Sequence, residues 1–147
     1  MLGGYRRRGG GRPSPSAHSY VFDAGVFALF FAGDSSVKPY FDKASSGRAS
    51  GFVSEVNLAE FYYKTGQRFD METADARLGL VRTSQILSIS TNEDAVVAAG
   101  KWKLKDSSLS LADCFALATL EANGEVLLTT DPELKRALKS RAVFFEV

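Results

Sequence analysis

The chain of 147 residues holds one cysteine, Cys114, and one histidine, His18. A single cysteine excludes an internal disulfide framework, and with one histidine it excludes a zinc finger or any cysteine-rich zinc site. A metal held by this protein would therefore have to be held by carboxylate oxygen, which suits Mg²⁺ or Mn²⁺. No run approaches the ~20 apolar residues that a membrane span needs, so no membrane partner is expected. No Gly-rich phosphate loop is present either, because Gly9-Gly10-Gly11 follows no strand. The lack of disulfides fits a reducing compartment, and the cytoplasm is the expected location.

What is present is an ordinary globular balance, 45% apolar and 24% charged, on a chain long enough for one domain with a proper core. The charge is unevenly placed. Arg6, Arg7, Arg8 and Arg12 stand in residues 1–18 without an acid, while the remainder carries 14 basic against 17 acidic residues. Residues 1–18 are Gly-, Arg-, Ser- and Pro-rich and are expected to form a disordered basic tail; residues 19–147 form the expected folded domain. Four arginines in so short a stretch carry little information about a nucleic-acid contact. Arg6–Arg8 followed by Val26–Ala32 resembles a signal peptide in outline. The apolar run is only seven residues long, however, and Asp23 lies just before it.

Beyond the tail, apolar strand-like runs alternate with helical patterns. Strands are expected at Ser19–Phe22, around Ala49–Val53, at Gln85–Ile89, at Val126–Leu128 and at Ala142–Val147. Helices are expected over Ala24–Ala32 and Val37–Ser45, and from Glu55 to about Thr65 with Gly66 as a stop. Further helices are expected over Asp70–Arg82, through about Leu104 after a capping box at Thr91–Asp94, over the stretch ending at Gly124, and after Asp131-Pro132. This alternation predicts a central parallel sheet of four to five strands between helical layers, an α/β/α fold.

Asp23 closes the first strand and Asp131 follows the fourth, at the rim of a parallel sheet where ligands bind. Asp113 lies in the first turn of its helix and Glu60 lies mid-helix. Acids drawn together there would raise each other's pKa unless cations neutralised them. Each has a local alternative. Asp131 before Pro132 suits an N-cap. Asp113, three residues after Ser110, suits a capping box. Glu60 precedes Lys64 by four and suits a helix ion pair. Asp23 has the weakest local role. Cys114 reads as a buried structural thiol, and His18 as neither catalyst nor ligand. Lys101-Trp102-Lys103-Leu104-Lys105 reads as a solvated helix end, with an RNA patch as the minority option.

Val21-Phe22-Asp23, Ser54-Glu55-Val56-Asn57-Leu58-Ala59-Glu60-Phe61, Ser110-Leu111-Ala112-Asp113 and Leu127-Leu128-Thr129-Thr130-Asp131, in this order, resemble the PIN-domain nucleases. The resemblance covers residues 19–147 and is nearest to VapC-type toxins of the archaeal style. It implies a ribonuclease dependent on Mg²⁺ or Mn²⁺. Asp23 and Asp113 would be the principal metal ligands, Glu60 and Asp131 would complete the pocket, and Thr129 would support it. It also implies a homodimer and a small antitoxin partner. One departure concerns the residues after the first acid: the family often has small polar residues there, and this chain has Ala24-Gly25. Three rivals remain at this level: a PIN-fold RNA-processing nuclease that is not a toxin, a non-catalytic PIN-fold binding module, and a receiver-like domain phosphorylated on Asp23. The last would want a lysine near the final strand, whereas Lys135 and Lys139 fall on a helix pattern.

Overall fold

A computed structural model describes residues 18–147, so the expected basic tail lies, apart from His18, outside the described residues. Five strands form one sheet: β1 (Ser19–Phe22), β2 (Ser50–Ser54), β3 (Leu87–Ile89), β4 (Val126–Thr129) and β5 (Ala142–Phe144). Every neighbouring pair is parallel, in the order β3-β2-β1-β4-β5. The chain builds outward from β1 to β3 and then returns to the other side of β1. The switch in direction therefore falls between β1 and β4, where Phe22 pairs with Leu128.

Alternation along the strands sends successive side chains to opposite faces. Tyr20, Phe22 and Leu128 join one core with α1 (Ala24–Phe31), α2 (Lys38–Ser45), α3 (Glu55–Arg68) and α4 (Met71–Thr83). Val21 and Leu127 join the other with α5 (Glu93–Lys105), α6 (Leu111–Asn123) and α7 (Pro132–Leu138). The first core is aromatic. Phe22 stacks on Phe27 at 5.0 Å between centroids, and Phe27 meets Phe61 at 5.6 Å. The second is aliphatic and small, with Ala116, Leu117, Ala118 and Leu120 of α6 buried. The outcome is the three-layer α/β/α arrangement expected from the alternation.

Several boundaries differ from the expected ones. Helix α3 does not stop at Gly66 but runs to Arg68, where the Phe69 amide closes it on the Thr65 carbonyl at 2.9 Å. Packing against α4 carries the helix through the glycine, since a Cβ there would stand 4.0 Å from the Ala74 Cβ. Helix α5 is capped by Asn92, whose side chain accepts from the Ala95 amide, so no Thr91–Asp94 box forms. Strand β3 is shorter than expected, and β5 ends at Phe144. Lys103 is not a free basic group at the end of α5: its ammonium donates to the Ser107 carbonyl at 3.0 Å and to that of Leu109, stapling the loop that leads into α6.

Candidate active site

Three of the four acids are aimed by the ends of secondary structure. Asp23 follows β1 and has a local role after all: it is the N-cap of α1, and its Oδ1 accepts from the Val26 amide at 3.2 Å. Its Oδ2 accepts from the Thr129 hydroxyl and from the Thr130 amide at 3.4 Å. Asp113 is the third residue of α6 in a complete capping box: Ser110 Oγ accepts from its amide at 3.0 Å, while Asp113 Oδ2 accepts from the Ser110 amide at 3.2 Å. Asp131 caps α7 through the Glu133 amide at 2.8 Å, and its own amide donates to Thr129 Oγ1 at 2.9 Å. The fully buried Thr129 hydroxyl thus ties the end of β4 to both Asp23 and Asp131. For Asp113 and Asp131, the local cap and the wall of a common pocket turn out to be one and the same arrangement.

Asp23, Glu60, Asp113 and Asp131 line a single cleft of about 400 Å³ at the carboxyl ends of β1 and β4. Burial pushes the Asp23 carboxyl up to about 6, against the lowering effect of its hydrogen bonds. The Asp113 carboxyl is also raised, first by burial and then by hydrogen bonding and repulsion with Asp131. Glu60 behaves differently: it faces Lys64 one turn further along α3, at 3.0 Å.

The donor set is oxygen only, which fits a hard divalent cation in kind. Two acids whose ionisation is suppressed by burial and by a neighbouring carboxylate are also what such a cation would relieve. The donors are not gathered around one point: among the described residues, no three Asp, Glu, His or Cys side chains form a group that could hold an ion.

Two neighbours of the acids have roles that the sequence did not reveal. Asn57 is buried; it accepts from the Ser54 hydroxyl and its Nδ2 donates to the Ala112 carbonyl at 3.1 Å, fastening α3 to the start of α6 beside Asp113. Gly25 faces Thr130 so closely that a Cβ would stand 2.0 Å from the Thr130 hydroxyl. The small polar side chain absent after Asp23 therefore has no room, and the Thr130 hydroxyl occupies its place on the cleft wall. Cys114 is buried, with its thiol raised by burial, and stays structural.

A parallel α/β/α sheet with carboxylates at its switch point places the chain in the class of open α/β proteins, in which ligands bind at the carboxyl rim. The family model of the PIN domain matches residues 20–139, and the chain belongs to the PIN domain family. Solved structures share the fold. The Mycobacterium tuberculosis toxin VapC20, described as cleaving the sarcin–ricin loop, aligns with a TM-score of 0.66 at 18% identity, covering 87% of this chain and 98% of that one. A toxin–antitoxin complex from Klebsiella pneumoniae gives 0.64 at 15% identity over 87% and 99%. DNA-bound VapBC from Salmonella typhimurium gives 0.67 at 14% identity over 86% and 98%. A comparison with curated protein sequences finds no match.

Proposed function

We propose that the cleft hydrolyses RNA phosphodiester bonds with Mg²⁺ or Mn²⁺, and that the protein is the toxin of a VapBC-type toxin–antitoxin pair. The observation that carries this proposal is the convergence of Asp23, Glu60, Asp113 and Asp131 on one cleft, two of them held above their ordinary pKa. The fold shared with a sarcin–ricin loop cleaving toxin and with toxin–antitoxin complexes supports the RNA substrate and a small antitoxin partner. A homodimer and a cytoplasmic location belong to the same proposal.

Asp23 and Asp113 would be the principal ligands of the ion, with Glu60 and Asp131 completing its surroundings. The bound ion would supply Lewis-acid polarisation of the phosphate and a more acidic water. The chain's own contribution is placement. Thr129 and the Val26 and Thr130 amides hold both Asp23 oxygens, while the capping box fixes Asp113. Burial and the neighbouring Asp131 hold the Asp113 carboxyl above its ordinary pKa while the ion is absent, and ligation would release that proton. Lys64 brings a cation to the same wall, where an incoming phosphate could draw it from Glu60.

In a Mn²⁺-dependent cleavage assay on structured and unstructured RNA, Asp23→Asn and Asp113→Asn should each lower the rate by roughly 100-fold or more, with circular dichroism unchanged. Undiminished cleavage by both variants would sink the proposal.

A further inference from the structure

The cleft has a second end. Beyond the acids its wall continues along α3 and α4 through Lys64, Arg68, Phe69 and Arg77. Glu60, Lys64 and Arg68 are spaced four residues apart on one face of α3, about 6 Å per step, so the wall changes from negative to positive within one helical turn. Arg77 reaches across from α4, its guanidinium 4.6 Å from the Phe69 ring centre and 5.3 Å from that of Phe31. Arg68 lies 5.6 Å from the same Phe69 ring. Five ion pairs form among the described residues, and neither arginine takes part in one. Phe69 is 52% exposed, at the corner between α3 and α4.

We propose that Lys64, Arg68, Phe69 and Arg77 form a shelf for single-stranded RNA that grips the nucleotides next to the scissile phosphodiester. It takes their phosphates on the three cations and a base against Phe69 and its arginines. The inference rests on the ribonuclease reading of the acidic end. A strand with one phosphate among the acids must leave the cleft along its walls, and this wall offers the two features that bind single strands without reading sequence: positive charge along the backbone and an aromatic surface. Two arginines without acids beside an exposed ring match the chemistry of a polyanion carrying flat bases.

Binding and chemistry are separable. Binding of a short fluorescent oligoribonucleotide in EDTA, followed by anisotropy over a range of salt, reads the shelf alone. Arg68→Ala and Arg77→Ala should each weaken binding about tenfold and flatten the salt dependence by about 0.7 per lost phosphate contact. Phe69→Leu should weaken it about tenfold with the salt slope kept. Arg68→Glu, at an exposed position, should weaken it most without disturbing the fold. Hydrolysis of bis(p-nitrophenyl) phosphate with Mn²⁺, a diester that offers no neighbouring phosphates to the shelf, should keep the wild-type kcat in the three arginine variants. Reduced binding with no diester hydrolysis even by the wild-type protein would support the shelf while overturning the nuclease reading. Wild-type binding and salt slope in Arg68→Glu and Phe69→Leu would overturn the shelf and leave the corner to a protein partner.

Discussion

Asp113 and Glu60 line the same cleft but are held in opposite ways. Asp113 sits at the start of a helix, locked in a capping box and pressed against a second carboxylate, with its ionisation suppressed. Glu60 sits mid-helix on a longer side chain, with Lys64 already neutralising it. Asp23 and Asp131 resemble Asp113, since each also caps a helix. The cleft therefore combines three rigid acids with one adjustable acid. Rigid placement of like charges costs stability that a bound cation would return, whereas a charge satisfied at the surface costs and gains little.

The largest difference should appear in stability against pH without metal. The folded pKa values of Asp23 and Asp113 lie above their unfolded values, so the native state binds more protons than the unfolded one. Stability from these groups is then full below the ordinary carboxylate value of about 4 and is lost as pH rises through about 6 for Asp23 and about 7 for Asp113. In Asp113→Asn the amide oxygen can keep the bond from the Ser110 amide while the NH₂ donates to Asp131. At pH 7.5 in EDTA this variant should melt higher than wild type by on the order of 1–2 kcal/mol, roughly 5 °C. Near pH 4 the difference should vanish, and Mn²⁺ should raise the wild-type Tm more than the variant's. Calorimetric scans at both pH values check this; an equal or lower Tm at pH 7.5 would mean that the acids are not in conflict.

A second, smaller effect tests how rigid the Asp23 corner is. Gly25→Ser places a Cβ where the Thr130 hydroxyl already stands, and should cost about 1–2 kcal/mol as Thr130 and the loop beside Asp23 shift. Adding Thr130→Ala should restore most of it by giving the new side chain room. Urea denaturation of the single and double variants separates the cases: two additive losses would mean that Gly25 and Thr130 do not share that space.

How much of this could be read beforehand depends on whether a residue acts locally. Asp131 before Pro132 and Asp113 after Ser110 follow capping rules, while Asp23 and Asp131 end strands, so the placement of those two at the rim followed from strand order and chain direction. The absence of a polar side chain after Asp23 was visible, but its cause was not, because Thr130 reaches position 25 only through the pairing of β1 with β4. Asn57 stood inside a quoted motif without a role, because its bond to Ala112 depends on how α3 crosses α6. Phe69 and Arg77 meet at a corner between two helices and follow no periodic pattern. Gly66 misled by propensity, which packing against α4 overrode.

The smallest effect falls on the adjustable acid. Glu60→Gln removes an i,i+4 pair whose lysine is 60% exposed, and should change stability by no more than about 0.5 kcal/mol. Its consequence should instead be a freed Lys64 cation on the wall that leads to the shelf. Binding of the oligoribonucleotide in EDTA should therefore tighten, roughly two- to fivefold, and more strongly at low salt because the gain is electrostatic. Under the proposed roles cleavage should fall, so the two readouts would move in opposite directions for one substitution. Asp113→Asn is expected to lower cleavage as well, but by itself it frees no cation. Loss of stability comparable to a core substitution in Glu60→Gln would place Glu60 with the rigid acids and remove the distinction between the two.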